Sequence, residues 1–329
     1  MDQPTHVIDP EGEVILILRN ANLPFADWFY GAFSKLKLDV QDKSQETLKE
    51  KSFCIQASAK HLVLASPVFK QILTGGWKES VTYLQKGSVE ITTEGWDIEA
   101  LLILLRIMHC QTHHVPRKLT LEMFAKVTVL ADYYGCKETI GFFADTWIES
   151  LKEVPPATYC RDLILWLWIS YYMRLPDEFQ KVSSIAISQG NGLIDNLGLP
   201  IPHKVLEKID SNRQQAINNI IILLQEKREA LLSGSQSCSF ECSSIMYGAL
   251  TKQMQSNGLL SPVPVAPFLN LNYEGLVWKL RSFKSPEWYS PGSDYPYRKP
   301  TLHSCPQSTF KSLFGTLNNT VGGLNLDDF

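Results

Sequence analysis

The fold is decided by one stretch, His61-Leu62-Val63-Leu64-Ala65-Ser66-Pro67-Val68-Phe69-Lys70-Gln71-Ile72-Leu73. Ser66 followed by Pro67 is typical of a helix start. The serine hydroxyl accepts a hydrogen bond from a free amide of the first turn, and proline gives up no intrahelical bond at that position. Apolar residues continue at helical spacing on both sides of this junction. The stretch therefore predicts two short helices joined at Ser66.

Strands and further helices surround this helical pair. Apolar or alternating runs predict strands at residues 14–18, 53–57 and 88–92. Amphipathic spacing predicts helices at 97–109, from Thr120 to the residues before Gly135, and at 137–151. The order is strand, strand, two helices, strand, three helices, which predicts an α+β domain.

Four further segments follow the helical pair: Gly76-Trp77-Lys78-Glu79-Ser80, Trp96-Asp97-Ile98-Glu99-Ala100-Leu101, Val115-Pro116-Arg117 and Val129-Leu130-Ala131-Asp132-Tyr133-Tyr134-Gly135-Cys136. Together with the His-Leu-x-Leu-x-Ser-x-x-Phe pattern, they resemble the BTB/POZ domain of proteins abundant in filamentous fungi. The resemblance covers residues 12–151 and implies a small sheet with helical hairpins. It departs from the family in a long insert, residues 21–50, where many BTB domains have a tight turn.

A second, mostly helical C-terminal region is expected over residues 155–329, because Pro155 and Pro156 mark a boundary. Helices are predicted at 162–173, 177–187 and 203–232. The apolar stripe of the last helix is interpreted as core packing rather than as a coiled coil. Residues 261–306 are rich in proline, serine and tyrosine and are predicted to be irregular but packed, since their aromatic residues do not favour disorder.

Composition limits the partners and the compartment. A net charge of −3 with 20% charged residues gives no basic surface for nucleic acid or an anionic membrane. The most hydrophobic run, residues 163–169, is far shorter than the roughly 20 residues of a membrane span, and we expect a helix buried on all sides instead. Seven scattered cysteines and an acidic N-terminus predict an intracellular protein, in either the cytoplasm or the nucleus.

Four residues form a candidate metal site: Cys238, Cys242, His303 and Cys305. Three thiols and an imidazole are the ligand set of a structural zinc site. The spacing is permissible but not distinctive, because zinc ribbons usually have two residues between paired cysteines. Ordinary buried cysteines with a surface histidine are the alternative, and the sequence leaves both open.

A second group of histidines, in His109-Cys110-x-x-His113-His114, follows the helix predicted at 97–109. Adjacent His113 and His114 would tend to point in different directions, and histidines near a helix C-terminus interact favourably with its dipole. We interpret this group as a solvated helix end rather than as a metal site.

The sequence contains no nucleophile elbow, phosphate-binding loop or dinucleotide fingerprint, so we expect no catalysis. The resemblance to BTB domains implies a protein-interaction role, with self-association as a homodimer through residues Val14, Leu16, Leu18, Leu62 and Leu64. The alternative is that these residues fill the core of the domain, and the general burial of apolar side chains favours it for most of them. A substrate adaptor that binds a cullin-type ubiquitin ligase and a transcription-associated regulator are narrower alternatives, although no downstream repeat domain or zinc-finger array is visible.

Overall fold

The computed structural model describes residues 3–27, 52–151, 156–290 and 301–329. The chain divides into two compact units: unit 1 (Met1–Glu178 with Asp195–Ile201) and unit 2 (Phe179–Ile194 with Pro202–Phe329). The boundary predicted between residues 151 and 155 falls within unit 1. Most of the predicted insert, residues 28–50, lies outside the described residues. The chain is α+β, as predicted.

Unit 1 contains a four-stranded sheet. Its strands are β1 (His6–Val7), β2 (Val14–Arg19), β3 (Phe53–Ala57) and β4 (Val89–Glu94), in the order β1-β3-β2-β4. The central strand β2 is antiparallel to β3 and parallel to β4, and β1 is parallel to β3. The three predicted strands are confirmed. Strand β1 was not predicted, because a two-residue strand is too short to show any alternation.

The helices whose bounds lie within unit 1 are α1 (Ala59–Ala65), α2 (Pro67–Thr74), α3 (Lys78–Lys86), α4 (Ile98–Met108), α5 (Leu121–Tyr133), α6 (Lys137–Leu151) and α7 (Arg161–Met173). The predicted junction at Ser66 is confirmed, since its Oγ accepts a hydrogen bond from the Phe69 amide at 3.1 Å. The same hydroxyl donates to the Tyr134 carbonyl oxygen at 2.6 Å. The side chain therefore caps α2 and also joins it to the end of α5.

Helix α3 was not expected, because its sequence lacks a buried apolar stripe. Ser80 is the one residue of α3 that is buried. The helix ends at Gly87, whose φ of 72° places it in the left-handed region that favours glycine. The segment was not recognised as a helix because it is mostly polar, as expected for a helix that lies largely on the surface.

Helix α7 carries the most hydrophobic run of the chain and is buried on all sides, as predicted. Its residues from Leu163 to Ser170 are all buried. The Trp168 indole N–H donates to the Thr128 hydroxyl of α5 at 2.9 Å, so its polar atom is satisfied inside the core.

Unit 2 is built from helices around one apolar core. Its elements are α8 (Pro176–Gln189, from Phe179 onwards), α9 (His203–Leu232), α10 (Phe240–Ser256), α11 (Tyr273–Arg281), the two-stranded hairpin β5 (Tyr289–Ser290) with β6 (Thr301–Leu302), and α12 (Phe310–Phe314). Residues of α9, α10, α11 and α12 share the core. The buried stripe of α9, with Ile217 and Leu224, confirms the interpretation as core packing.

The prediction of an irregular segment at 261–306 is wrong for part of its length. Helix α11 lies within it and is capped by Asn272, whose side chain accepts a hydrogen bond from the Gly275 amide at 2.7 Å. Nine residues with a glycine in the first turn show too little periodicity to be recognised from sequence. Packing against the α9 and α12 core stabilises this helix.

A buried guanidinium holds one loop of unit 2 in place. Arg213 of α9 is 1% exposed and donates two hydrogen bonds to the Asp210 carboxylate, at 2.9 and 3.1 Å. It also donates to the carbonyl oxygens of Pro267, Phe268 and Leu271, at 2.7, 3.3 and 3.4 Å. The loop before α11 is thereby joined to the middle of α9.

Candidate metal centre

Two of the predicted ligands lie at the start of α10. Cys238 precedes the N-cap residue Ser239, and Cys242 lies in the first turn. The Ser239 hydroxyl accepts a hydrogen bond from the Cys242 amide at 3.2 Å, which fixes the direction of this turn. Both cysteines therefore lie at the positive end of the helix dipole, an end that favours thiolates.

The third ligand, His303, is positioned by the hairpin. The His303 amide donates to the Trp288 carbonyl oxygen at 2.9 Å, which continues the pairing of β5 with β6. The Trp288 indole stacks on the imidazole, with ring centroids 4.5 Å apart and planes at 17°. Stacking fixes the plane of the imidazole, as supporting residues do around metal-binding histidines.

The fourth ligand, Cys305, lies in a turn that closes on itself. Its amide donates to the Ser308 hydroxyl oxygen at 3.1 Å, and the Ser308 amide donates to the Cys305 carbonyl oxygen at 3.1 Å. Ser308 is buried. The turn places the Cys305 sulfur 3.7 Å from the sulfur of Cys242 in α10.

These elements bring all four ligand atoms together, within 4.8 Å of one another. The Cys238 sulfur lies 3.3 Å from His303 Nε2, and the sulfurs of Cys242 and Cys305 are 3.7 Å apart. Tetrahedral zinc with bonds of about 2.3 Å to sulfur and about 2.0 Å to nitrogen requires separations of roughly 3.5–3.8 Å. The four side chains are therefore close enough to bind one metal ion, and all three cysteines are free thiols.

Cys242 and Cys305 differ in their tendency to lose a proton. Burial, together with the neighbouring Cys305 thiol, raises the pKa of Cys242 to about 12. Burial also acts to raise the pKa of Cys305, but hydrogen bonds from His303, the Gln307 backbone and the other two cysteines outweigh it and lower this pKa to about 7. Metal binding requires thiolates, so Cys305 is the ligand that is prepared for it at neutral pH.

A cavity of about 740 Å³ opens beside the centre. Its lining includes Cys238 and the side chains of Ser233, Phe240 and Tyr247. Cys238 and Phe240 are exposed, whereas Cys242 is fully buried. One sulfur of the centre thus faces solvent while another faces the core.

The residues predicted for partner binding separate into two groups. Val14, Leu16, Leu18 and Leu62 are buried, so the structure corrects their assignment to a partner surface and places them in the core of unit 1. Alternate residues of β2 point into the core because side chains alternate along a strand. Leu64 is different, since it is 88% exposed.

The second histidine group does not form a solvated helix end as a whole. His109 is buried, its Nε2 accepts a hydrogen bond from the Ser58 amide at 2.9 Å, and its Nδ1 lies 2.8 Å from the Leu105 carbonyl oxygen. Burial lowers the pKa of His109. His113 and His114 are exposed, as predicted. Only His109 takes part in the core, because it ends α4 facing the start of α1.

Sequence reasoning missed one apolar surface, on α3 and its N-cap residue. Trp77, Val81 and Leu84 are exposed and follow one another at intervals of four and three residues, which places them on one helix face. Their spacing was the available signal. It went unused because no helix was predicted there.

No known protein family matches this chain, and no curated protein matches it either. Among the described residues, no helix is long and apolar enough to cross a membrane.

Proposed function

We propose that Cys238, Cys242, His303 and Cys305 bind one structural Zn²⁺. The convergence of their four ligand atoms within 4.8 Å carries this proposal. Three thiolates and one imidazole complete a tetrahedron, as in structural zinc sites, and leave no open position for a substrate. The metal therefore holds the turn at residues 303–305 on the first turn of α10.

The expected benefit to stability follows from the length of chain that the metal closes. Cys238 and His303 are 65 residues apart. Cross-linking a loop of this length restricts the unfolded chain and contributes about 4 kcal/mol to the free energy of unfolding. The core of unit 2 supplies the rest of its stability, so partial folding without metal is compatible with the proposal.

Native mass spectrometry of the zinc-reconstituted, full-length protein tests the site. The wild type should carry one Zn²⁺ per chain, and metal removal should lower the free energy of unfolding of unit 2 by about 4 kcal/mol. His303→Ala should weaken zinc binding, whereas His114→Ala, which removes an exposed histidine elsewhere, should not. A metal-free protein after reconstitution, with unfolding unaffected by a chelator, would overturn the assignment.

We also propose that the chain acts by binding protein, beginning with a second copy of itself, and not by catalysis. The apolar face of Trp77, Val81 and Leu84 supports this, because aligned exposed apolar side chains are typical of interaction surfaces. Leu64 is a further exposed apolar side chain of unit 1. The resemblance to BTB domains agrees with self-association. The cullin-adaptor and transcription-associated roles rest on that resemblance alone.

Size-exclusion chromatography with light scattering tests self-association. The wild type should be a dimer, and Leu64→Asp or Leu84→Asp should give folded monomers, since both side chains are exposed and neither supports the core. Leu193→Asp is the matched control, because it places the same charge on an exposed leucine of unit 2. A wild type that is monomeric at every concentration would contradict the proposal.

A further inference from the structure

The three thiols of the metal centre differ in their access to solvent. Cys238 is exposed and lines the open cavity of about 740 Å³. Cys305 is half-buried, and Cys242 is fully buried. A small solute that enters the cavity therefore meets the sulfur of Cys238 first.

A second sulfur lies close enough to react with an oxidised Cys238. The ligand atoms of Cys238 and Cys305 are within 4.8 Å of each other, and these two residues are the cluster thiols with exposed surface. A sulfenic acid next to a thiolate condenses to a disulfide, which protects it from irreversible oxidation. The arrangement has both an accessible sulfur and a neighbouring cysteine that can resolve its sulfenic acid.

We propose that this centre is a peroxide-sensitive switch, in which hydrogen peroxide converts Cys238 and Cys305 to a disulfide and releases the metal. The inference rests on the zinc site proposed above. It concerns the regulation of that site and adds a redox role to its structural one.

The chemistry takes place in two steps. The Cys238 thiolate attacks one oxygen of hydrogen peroxide, so that an S–O bond forms, the O–O bond breaks and hydroxide leaves, which gives the sulfenic acid. The Cys305 thiolate then attacks this sulfur, so that the S–S bond forms, the S–O bond breaks and a second hydroxide leaves. Two electrons pass from the two thiolates to the peroxide.

The metal leaves because it loses half of its ligands. After oxidation, Cys242 and His303 remain as donors, and two ligands do not complete the tetrahedral coordination of zinc. The disulfide keeps the turn at residues 303–305 attached to the start of α10. The imidazole of His303 is released, and the stacked Trp288 indole reports this change.

The test uses the zinc-loaded full-length protein with excess hydrogen peroxide. A chromogenic chelator should show release of one zinc per chain, thiol titration should show loss of two thiols from the cluster, and peptide mapping should find the Cys238–Cys305 disulfide. A change in tryptophan fluorescence should accompany release and be absent in Trp288→Phe. A dithiol reductant with added zinc should restore the starting state.

Cys110→Ser is the matched control, because Cys110 is an exposed thiol outside the cluster and its loss should not alter zinc release. Zinc that stays bound in peroxide, release without a disulfide, or a disulfide that contains Cys242 would overturn the switch but leave the zinc site intact. A protein that binds no zinc before oxidation would instead refute the site itself, so the two failures are distinguishable.

Discussion

Ser66 in unit 1 and Arg213 in unit 2 perform the same task with different chemistry. Each side chain is 1% exposed and joins a helix to a distant carbonyl oxygen. The Ser66 hydroxyl reaches Tyr134, 68 residues away, and the Arg213 guanidinium reaches Pro267, 54 residues away. A buried hydroxyl is neutral and needs no counter-charge, whereas the buried Arg213 guanidinium needs the Asp210 carboxylate to balance its charge. Loss of the Arg213 interactions should therefore lower the free energy of unfolding more than loss of the Ser66 interactions.

The largest effect is expected for Arg213→Met. This change leaves the largely buried Asp210 carboxylate without its cation and frees the carbonyl oxygens of the loop before α11, so the free energy of unfolding should fall by about 3–5 kcal/mol. Urea unfolding measures the loss. Faster amide hydrogen exchange at residues 267–271 would locate it in this loop.

Arg281→Met is the control for that prediction. Arg281 is exposed and also hydrogen-bonds a carbonyl oxygen, that of Leu317, together with the Asn319 side chain. Its loss should cost no more than about 1 kcal/mol, because water replaces the guanidinium at the surface. Equal losses in the two variants would show that burial of Arg213 is not what gives this connection its importance.

A smaller loss is expected for Ser66→Ala, which removes a helix cap and also the hydrogen bond to Tyr134. The two contributions together should lower the free energy of unfolding by about 2–3 kcal/mol. Thr120→Ala isolates the cap, because the exposed Thr120 hydroxyl accepts from the Met123 amide and should cost about 1 kcal/mol. If urea unfolding gives the same loss for both variants, the bond to Tyr134 contributes nothing.

The same pair of residues shows what could be predicted from sequence. Ser66 was identified because a serine before a proline and an apolar run is a local signal that three neighbouring residues suffice to show. Its second bond, to Tyr134, has no such signal. Arg213 has one local partner, Asp210, three residues earlier on α9, but such a pair is equally common on exposed helix faces and does not indicate burial. Its carbonyl partners lie on a loop that only the folded chain brings near. A local helix cap can be predicted from sequence, whereas a hydrogen bond from a buried polar group to a residue far along the chain cannot.

The candidate site was predicted for a different reason. Cysteine and histidine are chemically distinctive, so Cys238, Cys242, His303 and Cys305 could be grouped without knowledge of the fold, and their proximity is confirmed. The supporting residues could not be found in this way. Trp288 contacts His303 because a hairpin of two-residue strands places it there, and strands so short leave no alternating pattern. The exposure of Cys238 likewise depends on the cavity, which forms only in the folded unit.

His109 is intermediate between Ser66 and Arg213, because its imidazole is neutral in the hydrogen-bonded state and can acquire a charge. Its Nε2 must remain unprotonated to accept from the Ser58 amide. Burial foremost, and the stacked His61, lower its pKa, while the Leu105 carbonyl oxygen and Asp9 act in the opposite direction. A proton on Nε2 would face the Ser58 N–H directly, so the folded state resists protonation.

The sign of the pH dependence follows from this lowered pKa. In the unfolded chain His109 titrates at about pH 6.5, and in the folded chain its pKa is lower. As the pH falls below about 6.5, the unfolded state binds the proton more readily and the free energy of unfolding decreases. The effect should be the smallest of the three, since it involves one proton and vanishes above neutral pH.

His109→Gln, whose amide oxygen can accept from Ser58, should flatten the slope of urea-unfolding free energies between about pH 7.5 and about pH 5. His114→Gln, at an exposed site, should retain the wild-type slope. A slope that persists in His109→Gln would assign the acid sensitivity to a different group.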